Sequence, residues 1–201
     1  MPAEDPPARM APLTVDQFTD ETRAFFDRWT VGLFKDADKN PPLMTYARHP
    51  KLADLFSQFN IHLLVTSTLE AKERQIAILR TAWLCDATYM WSSHLNTSLL
   101  LGLDPQMFAP IQHGADDDYF DDFERTIVRA TDELVKEHEV SDATWSVLSA
   151  RWSDQQMLDF LFTVGGYVLT AGVLRSTRVA RDQHLLDLAD QYGAPPIGSA
   201  E

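Results

Sequence analysis

The sequence predicts an all-α protein, and three observations lead to that prediction. None of the 11 prolines falls within residues 51–104 or 111–194, and only 8 of the 201 residues are glycine. Proline and glycine are the residues that a helix interior tolerates least. Strand signals are missing, because the chain has no Asn-Gly or Asp-Gly hairpin turn and no sustained alternation of β-branched residues. We therefore expect a single-domain bundle of about nine helices.

Capping residues place the boundaries of these helices. Asp121-Asp-Phe-Glu124 and Ser67-Thr-Leu-Glu70 both have the spacing of a capping box, in which two side chains bind backbone amides of the first turn. The predicted helices cover residues 14–29, 50–65, 67–85, 87–101, 104–111, 121–138, 141–150, 153–177 and 182–191. The helical domain then spans residues 13–192, between disordered terminal segments at 1–12 and 193–201.

Composition and charge exclude several classes of partner. The chain carries 30 Asp and Glu against 17 Lys and Arg, a formal net charge of −13, which repels both nucleic acid and anionic membrane surfaces. The start of the chain has no apolar signal-peptide core, and no run of about 18 apolar residues could span a bilayer. We expect a cytoplasmic protein whose partners are a small-molecule substrate and copies of itself.

Residues that bind metals or cofactors form no recognisable motif. Cys85 is the only cysteine, which excludes a disulfide framework and a Cys-x-x-Cys redox pair. No two of the six histidines are three or four residues apart, and Gly-rich nucleotide-binding motifs are missing. The acidic run from Asp116 to Asp122 is expected to be a solvated loop before a helix. The predicted metal content and cofactor content are therefore both none.

The most informative stretch is residues 67–102. On its first helix Ile76, Leu79 and Trp83 recur at helical spacing, and few polar residues follow Arg80. On its second helix His94 lies among apolar and aromatic neighbours. Such a histidine is either a hydrogen-bonded core residue or a catalyst, and the pattern alone leaves both open.

Several motifs in this stretch occur in a fixed order. They are Leu69-x₃-Glu73-Arg74-Gln75-x-Ala77-Ile78-Leu79-Arg80-x-Ala82, then Tyr89-x-Trp91-x₂-His94, then Gly102-Leu103. Together they resemble the carboxymuconolactone decarboxylase and alkylhydroperoxidase D-like superfamily, and most of all its subgroup that reads Tyr-Glu-Trp-x-x-His. The resemblance covers roughly residues 40–180 and implies an all-helical fold.

The chain departs from the peroxidase branch of that superfamily. That branch carries Glu-x₁₁-Cys-x₂-Cys-x₃-His, and the corresponding positions here are Gln75, Ala87, Met90 and His94. A lone Cys85 without a resolving partner cannot run a disulfide cycle, so peroxidase activity is not expected. Met90 also replaces the glutamate of the Tyr-Glu-Trp-x-x-His subgroup.

The resemblance implies a cofactor-independent lyase, a decarboxylase or a related dehydratase or isomerase, acting on a small cyclic or aromatic oxygenated acid. His94 would transfer the proton and Gln75 would orient a carbonyl. The expected substrate-binding residues are Tyr89, Met90, Trp91, Tyr167 and His62. Two alternatives stay open: a catalytically degenerate protein that binds a small molecule or partner, and a purely structural subunit.

Two segments are too apolar for one domain of this size to cover. Residues 68–84 and 158–174 have apolar side chains on nearly all sides. This predicts a homo-oligomer, and the resemblance implies a trimer or a hexamer.

Overall fold

The computed structural model describes residues 5–29 and 37–196, and within those ranges it contains helices and no strands. The all-α prediction is confirmed. The ten α-helices of the described residues are α1 (Asp20–Trp29), α2 (Pro41–Tyr46), α3 (Pro50–Ile61), α4 (Ala71–Leu84), α5 (Thr88–Leu100), α6 (Phe108–His113), α7 (Asp122–Glu137), α8 (Asp142–Arg151), α9 (Asp154–Thr177) and α10 (Gln183–Tyr192).

The prediction of nine helices missed α2. This helix begins at two prolines, which need no amide partner in a first turn, and the side chain of Asn40 accepts a hydrogen bond from the amide of Leu43. The helix predicted from Thr14 is only a 3₁₀ turn, Val15–Gln17, before α1 begins at Asp20. The segment from Pro50 is α-helical only to Ile61, where a π-helical turn follows.

The contacts group the described residues into two compact units. Of the described residues, the first unit contains Ser67–Val173 and 181–196. Its central element is α4, which packs against α5, α6 and α7. Ten consecutive residues of α4, from 73 to 82, are buried, so the chain itself covers this helix.

A buried ion pair joins three helices of the first unit. Arg80 on α4 donates to both carboxylate oxygens of Asp132 on α7, at 2.6 and 2.9 Å. Its Nη1 also donates to the backbone carbonyls of Ile111 and Gln112 on α6. A guanidinium whose donors are used in this way fixes the relative positions of these helices.

The second unit contains Asp5–Thr66, apart from the residues outside the described ranges, and Leu174–Ala180. Its core is formed by side chains from α1, the α2 region and α3: Phe25, Phe26, Met44, Ala47 and Ala53. The Nη1 of Arg28 on α1 donates to both carboxylate oxygens of Asp54 on α3. Of the terminal segments predicted to be disordered, residues 1–4 and 197–201 lie outside the described ranges.

Helix α9 is the longest helix of the described residues and the most exposed of the apolar ones. By length and composition it is long and apolar enough to cross a membrane, but 44% of its most apolar stretch is buried inside the protein. The core helix of a soluble protein meets the same criterion, and α9 buries Phe160, Val164 and Tyr167 on one face. Its opposite face carries exposed apolar side chains, among them Leu158 and Leu169.

Candidate active site

A buried pair of polar side chains links α4 to α5. The Nδ1 atom of His94 lies 3.0 Å from Oε1 of Gln75, and the hydroxyl of Ser98 donates to the same oxygen at 3.4 Å. The amide oxygen is an acceptor, so the neutral imidazole carries its proton on Nδ1. Its second nitrogen, Nε2, has no hydrogen-bond partner among the described residues and keeps its lone pair.

The surroundings of His94 hold its ring in the neutral form. Burial, and after it the positive charge of Arg74, lower the pKa of His94 from 6.5 to about 3. The ring of Tyr167 on α9 packs edge-on against the imidazole, with the ring centroids 5.0 Å apart. Only 7% of His94 is exposed.

Arg74 is a site residue for which the sequence analysis gave no role. It precedes Gln75 on α4, and only 8% of it is exposed. Its Nη1 donates to the backbone carbonyl of Leu69 at 3.0 Å, and burial lowers its pKa. A sequence signal existed, since an arginine beside Gln75 on a nearly apolar helix has to be buried. Nothing in the sequence showed that its charge reaches His94.

The other predicted substrate-binding residues are placed in different ways. Met90 and Tyr89 are buried on α5. The indole of Trp91 donates to the backbone carbonyl of Gly193 at 2.8 Å and packs edge-on against Trp83, so it anchors the segment after α10. His62 belongs to the second unit, where its Nδ1 is 3.0 Å from the hydroxyl of Thr66.

The positions that hold two cysteines in the peroxidase branch carry buried apolar side chains here, namely Ala87 and Met90. Cys85 lies at the C-terminal end of α4 and is half-buried. Within residues 5–29 and 37–196, no group of three or more His, Cys, Asp or Glu side chains could hold a metal ion.

Comparison with known proteins identifies the fold of the chain but does not show its family. No family model and no curated protein matches the chain. Solved structures do match across 94% of it. An uncharacterized peroxidase-related protein from Silicibacter sp. TM1040 has a TM-score of 0.71 at 18% identity, with 97% of that chain covered. A second such protein, from Ralstonia eutropha JMP134, is described as an alkylhydroperoxidase AhpD core. Its TM-score is 0.72 at 14% identity, and 100% of that chain is covered.

A third match is the debrominase Bmp8, a cysteine-to-alanine variant in complex with 2,3,4-tribromopyrrole. Its TM-score is 0.73 at 9% identity, and 94% of this chain and 100% of that chain are covered. The protein therefore has the alkylhydroperoxidase D-like fold. The fold that the resemblance to that superfamily implies is confirmed, while the Tyr-x-Trp-x-x-His subgroup stays a prediction.

Proposed function

We propose that the protein is a cofactor-independent enzyme that transfers a proton on a small cyclic or aromatic oxygenated acid, with His94 as the catalytic residue. The observation that carries the proposal is the buried pair of Gln75 and His94. Because Gln75 holds the proton of the ring on Nδ1, the lone pair of Nε2 is directed away from that bond and can accept a proton.

The same pair serves each of the reactions that the superfamily resemblance suggests. In a decarboxylation the bond to the carboxyl carbon breaks, carbon dioxide leaves, and the electron pair stays on the carbon as an enolate. His94 takes a proton at Nε2 from water or from an acidic hydrogen of the substrate, and the imidazolium then gives it to that carbon. Where water is the donor, the hydroxide left behind combines with the released carbon dioxide as bicarbonate. In an isomerisation the proton instead moves from one carbon to another. A debrominase with this fold binds a small aromatic ring, which agrees with the substrate class.

Turnover of small acids by the full chain tests the proposal. Candidate cyclic and aromatic oxo acids are incubated in D₂O, and NMR follows deuterium incorporation while a coupled assay follows bicarbonate. We expect His94→Gln to lower kcat by about 10²-fold or more with little change in thermal stability at pH 7. Cys85→Ser is the matched control, because no proposed step uses the thiol, and its kcat should stay at the wild-type level.

The alternative is a protein that only binds such acids. It predicts binding without isotope exchange, and equal behaviour of the wild type and His94→Gln in the exchange assay. A Cys85→Ser variant that is folded but inactive would overturn the proposed role of His94 in favour of thiol chemistry.

A further inference from the structure

Arg74 has hydrogen-bonding capacity that the chain does not use. Its Nε–H is buried and has no partner, and no carboxylate of the described residues forms an ion pair with the guanidinium. The carboxylates of Asp159 and Glu70 act on Arg74 only through space. A buried cation without a directly bound counter-charge is costly, because water no longer solvates it. Arg80 on the same helix shows the usual solution, a two-pronged ion pair with Asp132.

Thr163 on α9 is a second buried group without a partner. Its hydroxyl is fully buried and forms no hydrogen bond. Other helical threonines of the first unit donate to the carbonyl four residues earlier, as helical geometry allows. They are Thr81, Thr97, Thr126, Thr131 and Thr170. Thr163 differs from these five because its buried hydroxyl has no partner, so this hydroxyl is available to a ligand.

The guanidinium of Arg74 and the hydroxyl of Thr163 are both linked to His94 through their neighbours. Thr163 lies one helical turn from Asp159 and one turn from Tyr167, on the same face of α9. Asp159 accepts from the amide of Thr68, and Arg74 donates to the carbonyl of the next residue, Leu69, so this face of α9 lies beside Arg74. Tyr167 contacts the ring of His94, and the charge of Arg74 acts on that ring.

We propose that Arg74 Nε and Thr163 Oγ1 bind the carboxylate of the substrate and so position it beside His94. The proposal rests on the proposed function only for the role of His94. A carboxylate has two acceptor oxygens, one for the guanidinium N–H and one for the hydroxyl. It would also supply the directly bound counter-charge that Arg74 lacks, so an uncharged ligand should bind more weakly.

Carboxylate binding at this place would also change the proton affinity of His94. The charge of Arg74 is one of the two causes that lower the pKa of His94. A bound anion compensates that charge, so the ring becomes a better base when the substrate is present. Arg74 would thus be a substrate-binding residue that couples binding to proton transfer.

Calorimetric titration of the full chain with benzoate, acetate and 2-furoate tests the subsite, with benzamide as the uncharged counterpart of benzoate. We expect at least one carboxylate to bind, and benzamide to bind about tenfold more weakly than benzoate or not at all. Thr163→Val replaces an unpaired hydroxyl by a methyl group of the same size, so it should fold normally and weaken carboxylate binding about tenfold. Thr170→Val is the matched control on the same helix and should bind like the wild type.

Arg74→Lys keeps the charge but loses the Nε–H group, and should weaken binding as well. If the Arg74 variant does not fold, Thr163→Val alone decides. Wild-type affinity in Thr163→Val, or failure of all three carboxylates to bind at millimolar concentration, would overturn the subsite. His94→Gln should still bind the carboxylate. Full turnover in His94→Gln with intact binding would refute the proposed function but leave the subsite standing.

Discussion

At the scale of single residues, two neighbours set the protonation and the tautomer of His94. Gln75 accepts the Nδ1 proton and fixes the tautomer, while Arg74 and burial disfavour a second proton. The result is a neutral ring at pH 7. An imidazole with a pKa of about 3 is a weak base in the empty site, and this is why a charge-compensating ligand matters for its function.

The stability of the protein should depend on the protonation of His94. Its folded pKa lies below the unfolded value of 6.5, so between these values the unfolded chain binds more protons. The free energy of unfolding therefore falls as the pH is lowered below 6.5, by up to about 1.4 kcal/mol per pH unit from this group. We expect the free energy of unfolding of His94→Gln, measured by urea unfolding from pH 7 to 4, to depend less on pH than that of the wild type. Parallel curves would show that the folded and unfolded rings titrate alike.

Replacing Gln75 should restore a basic His94. In Gln75→Glu a carboxylate would accept the Nδ1 proton and would also offset the charge of Arg74, and both effects favour the imidazolium. We expect the pKa of His94 to rise by about one unit or more, measured by NMR titration of the ring carbons. Ser98→Ala removes a neutral donor to the same oxygen and is the control. An unchanged titration midpoint in Gln75→Glu would contradict the pairing.

The sequence allowed only part of the site to be predicted. Gln75 and His94 were found through the resemblance, because they stand at the glutamate and histidine positions of the superfamily motif. Trp91 was expected in the pocket, but its indole binds Gly193, 102 residues further along the chain. The unused donors of Arg74 and Thr163 could not be predicted, since a missing partner is a property of the packed structure.

At the scale of helices, local capping signals were correct only where no distant residue competed. Asp121 caps α7 in the predicted capping box with Glu124. The box predicted at residues 67–70 is wrong, because Asp159 accepts from the amide of Thr68 at 2.6 Å and from both the Thr68 and Ser67 hydroxyls. Helix α4 consequently begins at Ala71, after a Glu70 that makes no capping bond.

Asp159 should therefore stabilise the start of α4 from a position on α9. In Asp159→Asn the charged acceptor of three hydrogen bonds becomes a neutral amide, and we expect a loss of about 1–3 kcal/mol in the free energy of unfolding. Asp154→Asn, an exposed change in the first turn of the same helix, should alter stability by less than about 0.5 kcal/mol in the same urea titration. Equal effects of the two variants would exclude the tertiary cap.

At the scale of the whole molecule, the helical class was predictable but the grouping into two units was not. The boundary between Thr66 and Ser67 follows a π-helical turn. It has no proline, no glycine and no change in composition that would mark it in the sequence. The apolar character of α4 was expected to be covered by another subunit, yet the chain buries this helix itself. Among the described residues, α9 keeps the longer exposed apolar face, and Leu52, Leu55 and Phe59 form a shorter one on α3.

That face has the spacing of a helix-packing surface. Leu158, Phe162, Gly165, Leu169 and Gly172 follow one another at alternating steps of four and three residues, the repeat by which two helices pack side by side. A Cβ atom added at either glycine would meet nothing within 4 Å, so both positions are open to close approach. No residue of the stripe is charged, and two copies can meet there in spite of the net charge of −13.

We propose that this face of α9 binds a second copy of the chain. Multi-angle light scattering at micromolar concentration should give a multiple of 22.8 kDa for the wild type. Leu169→Asp should give the monomer mass, because a carboxylate at a side chain that is 56% exposed in the single chain would be desolvated in the assembly. Leu100→Asp is the control, since Leu100 is 80% exposed on α5, and it should keep the wild-type mass. A wild-type mass of 22.8 kDa, or equal masses of Leu169→Asp and the wild type, would show that α9 is not the interface.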